Sequence, residues 1–174
     1  MRPTVSVYIA ISIDGYIARD DGGLDWLEGV QEAGGDDYGY AEFMSTIDAV
    51  VLGRATYDAV RTFEIWPFEG RRVVVLTNRP LVPTFDEATY AGALLPLMER
   101  LAADGVERVY LDGGATIRQG LDEGIVDDMT LSVVPMLLGS GRPLFTRGLP
   151  GGAWTLTGAE GHPTGLVQLR YQRT

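Results

Sequence analysis

Apolar and polar positions alternate along residues 5–13, Val-Ser-Val-Tyr-Ile-Ala-Ile-Ser-Ile, and the stretch fills in with aliphatic residues toward its end. That pattern predicts a central strand, buried on both faces where it ends. Four further apolar runs predict strands over 48–53, 72–77, 108–111 and 129–134. Between them the period lengthens. Tyr40, Phe43, Met44 and Ile47 share one side of a predicted helix over 38–46, and a helix-like segment follows over 58–63. Residues 93–103 are amphipathic, with Pro96 in the first turn, where a missing N–H costs nothing, and Gly105 as the stop. Residues 115–123 predict another helix, ended by Gly124. Two late alternating runs, 154–157 and 166–171, predict a closing antiparallel pair. Strands alternating with helices imply a mainly parallel sheet with helices on both faces, an α/β fold, and the final pair adds an antiparallel edge. The apolar run 129–138 is too hydrophobic for a solvent edge, which predicts a homodimer through the later strands.

The length of 174 residues suits one domain, 1–174, with a substantial core. Lys+Arg number 14 and Asp+Glu 24, a net charge of 14 − 24 = −10, and lysine is absent altogether. So acidic a chain argues against nucleic acid and anionic membrane as partners, and any anionic ligand must be held by a few focused cations and backbone N–H groups. There is no cysteine, hence no disulfide, thiolate chemistry or zinc–sulfur site, and no metal is expected. The early polar residues Ser12 and Asp14 interrupt the first apolar run, so no signal peptide or membrane span is predicted and a cytoplasmic protein is expected.

Ligands of parallel sheets sit at the carboxyl ends of strands, so the residues just after each strand carry the chemistry. After the first come Asp14 and Gly15. After the second come Gly53, Arg54 and Thr56. Thr77, Asn78 and Arg79 follow the third, and Gly113, Gly114 and Ala115 the fourth. Glycines let a backbone approach closely, helix starts offer N–H groups, and arginines make bidentate contacts to phosphate. Arg54 is out of place at a helix start, where the partial charge is already positive, unless an anion joins it. The usual Gly-x-Gly-x-x-Gly fingerprint is absent, and so is an acid for a free ribose 2′-hydroxyl. Arg, Thr and Asn stand there instead, which favours NADP over NAD.

The motifs Ala10–Ala18, Leu52–Tyr57, Leu76–Arg79, Leu111–Thr116 and Pro135–Phe145 occur in an order and spacing that resembles the dihydrofolate-reductase-like fold. Within it, the chain resembles the reductase domain at the C-terminus of riboflavin-biosynthesis deaminase-reductases, here without the deaminase half. The resemblance implies a three-layer fold with about eight strands and an NADPH-dependent reductase of a pterin- or aminopyrimidine-like substrate. It implies that Gly53, Arg54 and Thr56 hold the phosphates and that Leu76, Thr77, Asn78 and Arg79 line the adenosine end. Gly113, Gly114, Ala115, Thr116 and Ile117 would pass under the diphosphate and nicotinamide. Ala10, Asp14 and Gly15 would border the nicotinamide and substrate, with Pro135, Leu138 and Gly139 in the substrate wall.

Reduction needs a proton as well as a hydride. Asp14 and Asp37 are the candidate acids. Glu42 rivals Asp37, which also suits a helix start. Trp26 could stack on a heterocycle or plug the core edge. His162, in a turn between the last two strands, is expected far from the cleft. A non-catalytic NADP(H)-binding homologue and a flavin- or deazaflavin-using reductase are the alternative functions.

Overall fold

The computed structural model describes residues 1–28, 30 and 35–174. The part of the predicted 19–39 loop at 29 and 31–34 lies outside them. The strands are β1 (Thr4–Ser12), β2 (Tyr16–Ala18), β3 (Ala49–Gly53), β4 (Arg72–Leu76), β5 (Ala88–Tyr90), β6 (Arg108–Asp112), β7 (Asp128–Val134), β8 (Arg142–Pro143), β9 (Trp154–Gly161) and β10 (Val167–Arg173). The helices are α1 (Tyr40–Ser45), α2 (Arg54–Val60), α3 (Leu94–Ala103) and α4 (Gly114–Asp122), and a 3-10 turn spans Asp25–Leu27.

Eight strands form one sheet in the order β5-β4-β3-β6-β1-β7-β10-β9, and β2 pairs with β8 separately. From β5 to β7 every neighbour is parallel, whereas β10 runs antiparallel to both β7 and β9. The predicted parallel sheet with an antiparallel edge is therefore present. The short β5 and the β2–β8 pair carry too little periodic signal to be read from sequence.

The alternation in β1 sorts its side chains between two layers. Val5, Val7 and Ile11 join the buried cluster beneath α3 and α4, with Leu94, Met98 and Ile117. Tyr8 packs on the opposite layer, with Met44 of α1 and Tyr57 and Val60 of α2. Burying a side chain of this size is worth about 1.5–3 kcal/mol, so a one-residue slip of β1 would forfeit both layers.

β7 lies between β1 and β10. Its apolar residues Met129, Leu131 and Val134 are buried within the chain, whereas Met136 and Leu137, further along the same apolar run, are exposed. Arg108 pins the start of this sheet centre, donating to Ser6 Oγ at 2.9 Å and to the Asp128 carboxylate at 3.1 and 3.2 Å.

Candidate functional site

A cleft of about 1300 Å³ opens over the carboxyl ends of β4, β3, β6 and β1. Gly53, Arg54, Thr56, Leu76, Thr77, Asn78, Arg79, Gly113, Gly114, Ala115 and Thr116 all line it, with Ala10 and Asp37. Three strand ends thus converge because β3, β4 and β6 are neighbours.

Gly113 has φ +87°, and an added Cβ there would run into Thr56 Oγ1. Only glycine lets the β6–α4 turn pass so close to α2. Thr116 is 2% exposed, and its hydroxyl has no hydrogen-bond partner among the described residues. Lying in the cleft lining beside Gly53, it is a buried polar group that a bound ligand would satisfy.

Arg54 is not a bare cation at the start of α2. Its Nε donates to Asp58 Oδ2 at 2.9 Å, one turn on, and its Nη1 to the Pro80 carbonyl at 3.1 Å. The conflict read from sequence is therefore partly relieved inside the protein, and the guanidinium is held in one orientation. Arg79 is exposed at the cleft edge, on a turn closed by its N–H donating to Thr77 Oγ1 at 3.1 Å.

Other predicted site residues lie elsewhere. Ile117 is completely buried beneath the sheet because it points from α4 into the core. Asp14 is exposed and absent from the cleft lining. It accepts from Ser12 Oγ at 2.6 Å, Leu138 N at 3.1 Å and Gly139 N at 2.7 Å. These bonds, the Ser12 hydroxyl first, hold its carboxyl down at about 2. Asp14 clamps two loops as a carboxylate and is not a proton donor near neutral pH. Gly15, Pro135, Leu138 and Gly139 likewise fall outside the lining. Trp26 is 2% exposed and packs with Val30, Val134 and Leu166, so it plugs the core edge.

Asp37 lines the cleft, but its carboxylate accepts from Ala41 N at 2.8 Å and Gly39 N at 2.9 Å. Those amides lower its pKa, so it serves as a helix-start anion.

The acid suited to donate a proton is Asp112, the last residue of β6, which lines the cleft immediately before the glycine pair. Burial pushes its pKa up to about 6, against the opposing pull of the Gly113 N–H at 2.8 Å. Beside it stand Tyr40 and Tyr110, which also line the cleft. Burial first, and the Asp112 charge second, raise the Tyr40 and Tyr110 phenols. The signal was available: an acid next to Gly-Gly at a strand end.

The far wall also differs from expectation. Asp36, Asp37 and Tyr38 line the cleft, and the turn carrying His162 holds them in place. His162 Nδ1 lies 3.3 Å from Asp36 Oδ2, and its ring meets Tyr38 edge-on at 4.8 Å. Tyr38 Oη pairs with Thr164 Oγ1 at 3.1 Å, and the Tyr38 carbonyl accepts from Tyr8 Oη and from Gln168 Nε2. His162 is thus beside the wall, not far from it. β10 folds back next to β7 and its preceding turn brings Thr164 to Tyr38, a contact of residues more than a hundred apart that no local pattern reveals.

A twisted, mostly parallel sheet with a strand-end cleft, a glycine cradle and an acid beside it defines the dihydrofolate-reductase-like class of reductase domains. The model of the RibD C-terminal domain matches residues 3–167, and the chain belongs to that family. The crystal structure of a riboflavin-biosynthesis-type protein from Shewanella sp. PV-4 superposes with a TM-score of 0.91 at 35% identity, covering 98% of this chain and 99% of that one. YwjB of Bacillus subtilis (strain 168) is 35% identical over 147 residues, 83% of each chain. The RibD protein of Corynebacterium ammoniagenes is 30% identical across 91% of this chain but only 50% of its own length. A Thermotoga maritima deaminase/5-amino-6-(5-phosphoribosylamino)uracil reductase shares the fold alone, at 14% identity and TM-score 0.74, with 99% of this chain and 57% of that chain covered.

Proposed function

We propose that the chain is an NADPH-dependent reductase of a small amino-substituted heterocycle, of the pterin or aminopyrimidine kind. The observation that carries this reading is Asp112, an acid with its pKa raised to about 6, placed directly before the Gly113–Gly114 cradle in the cleft. The chain's residues fit the cofactor: Gly113 keeps the cradle open, and Thr116 offers an unpartnered hydroxyl. Arg54 and Arg79 supply the cations that a 2′-phosphate favours. When bound, the nicotinamide supplies hydride. Asp112 holds the proton that balances that hydride and gives it up to the reduced centre. Burial keeps the acid protonated nearer to neutral pH, against the opposing pull of the Gly113 N–H and the Tyr110 hydroxyl.

Fluorescence titration with NADPH and NADH tests the cofactor reading. Micromolar NADPH binding with weaker NADH binding is the expected outcome, and no binding of either below the millimolar range overturns it. The relatives described as riboflavin-biosynthesis proteins support an aminouracil-type substrate for the same cleft. A homodimer is also proposed, now on the exposed apolar residues Ile13, Leu137 and Phe145, which follow β1, β7 and β8. Light scattering at micromolar concentration should then report about twice the chain mass of 18.9 kDa.

A further inference from the structure

Five tyrosines among the described residues line the cleft: Tyr8, Tyr38, Tyr40, Tyr90 and Tyr110. All but Tyr40 spend their hydroxyls on the protein. Tyr8 Oη donates to the Tyr38 carbonyl, Tyr38 Oη to the Val30 carbonyl at 2.9 Å, Tyr90 Oη to the Ala93 carbonyl at 3.1 Å and Tyr110 Oη to the Tyr8 carbonyl at 3.0 Å. Tyr40 Oη has no hydrogen-bond partner among the described residues. Nor is it sealed away: the buried polar atoms without a partner belong to Trp26, Asp58, Thr116 and His162. Its O–H therefore meets the solvent that fills the cleft.

The ring that carries this hydroxyl is held still. Tyr40 opens α1, and its N–H donates to the Asp37 carbonyl at 3.0 Å, while the Asp37 carboxylate accepts from Gly39 N and Ala41 N on either side. The ring is half-buried, meets Tyr8 edge-on at 5.6 Å and packs on the cluster of Met44, Tyr57 and Val60. Asp112 is near enough for its charge to act on the phenol. Burial first, and that charge second, raise the phenol, so the hydroxyl keeps its proton. A ligand that fills the cleft expels the water this O–H uses. The proton then needs an acceptor on the ligand, because an O–H left unpaired weakens binding by about tenfold. A carbonyl oxygen, with two lone pairs, projects from the edge of a heterocycle and can meet a hydroxyl on the wall, whereas an amino group at the same place presents N–H instead.

We propose that Tyr40 is a substrate-binding residue whose hydroxyl donates to a ring carbonyl of the heterocycle, so that the cleft selects a carbonyl over an amino group at that position. This rests on the reading of the cleft as a reductase site and adds to it a residue and the group that residue recognises.

The probes are 5,6-diaminouracil and 2,4,5,6-tetraaminopyrimidine, in which amino groups replace both carbonyls. Each is titrated calorimetrically into protein saturated with NADP+, so that nothing is reduced. Tyr40→Phe deletes only the hydroxyl. It should raise the dissociation constant of the uracil about tenfold and that of the tetraamine less than about twofold. NADP+ affinity and Tm should not change. Tyr110→Phe, which breaks a bond inside the protein, should lower Tm and so shows what a structural role looks like. An unchanged dissociation constant for the uracil overturns the proposal. Equal losses for both probes do so too, as does a loss that comes with a lower Tm and weaker NADP+ binding. If NADP+ binds but neither probe binds the unsubstituted protein, the aminouracil reading of the site falls and this inference falls with it. If NADP+ does not bind, the cofactor reading fails, and the same comparison of probes in the free protein decides the role of Tyr40.

Discussion

Asp112 ends a strand whose preceding residues, Val109, Tyr110 and Leu111, are all buried. Its carboxyl is therefore delivered into a poorly solvated pocket by the same register that builds the core. For the proposed reaction the protonated form is the active one. The rate constant kcat/KM should be flat at low pH and fall as pH rises through about 6, the value to which burial pushes Asp112. Asp112→Asn should abolish that limb and lower kcat/KM by about 10²-fold or more, the usual scale of a positioned acid. A pH–rate series on both proteins checks this. Thr116 makes a different prediction. Its hydroxyl is buried without a partner, so Thr116→Val removes a desolvation cost from the free protein. We expect an unchanged or higher Tm with NADPH binding weakened about tenfold, the scale of one lost hydrogen bond in a dry site. Scanning calorimetry and fluorescence titration give the two readings.

At the scale of elements, the strands and helices were legible wherever the period was long enough to count. β1, β3, β4, β6 and β7 fall within a residue or two of their predicted ranges, and α3 and α4 within one. The glycine and arginine cluster was legible because parallel neighbours put their ends together. The substrate side was not. Its wall is assembled from Tyr8, residues 36–38 and the turn at His162, and their proximity depends on β10 lying beside β7. Asp14 misled for a related reason: it follows β1 as expected, but Leu138 and Gly139 N–H groups capture it on the outer side. If the β9–β10 turn positions the wall, His162→Ala should raise KM for the heterocycle several-fold. It should leave NADPH affinity and kcat nearly unchanged, and His162→Gln should recover part of the loss. Steady-state kinetics with separate cofactor titration distinguishes this from general destabilisation, which would move all three.

For the whole molecule, acid sensitivity follows from which carboxylates the fold favours ionised. Asp14, held near 2, and Asp25, Asp37 and Asp127, all lowered, bind fewer protons folded than unfolded. Their contribution is present above the ordinary carboxylate range and is lost as pH falls through their folded values. Asp112 and Asp128, raised chiefly by burial, act in the opposite sense. They bind more protons folded, so stability declines as pH rises from the ordinary aspartate value toward about 6 for Asp112. The urea midpoint should therefore drop steeply between about pH 4 and 2 and also decrease from about pH 4 toward 6. Asp14→Asn should flatten the first slope and Asp112→Asn the second.

The dependence of the cleft wall on Gln168, whose amide holds Tyr8 and Tyr38 together, sets an order on the ribosome. Every residue of the cradle, from Gly53 to Thr116, has been made about fifty residues before Gln168 is added. At cellular elongation speeds that interval is roughly 3 to 10 s. The nascent chain passes through a stage with its glycine cradle fully synthesised and the wall at Tyr8 and Tyr38 still missing a strut.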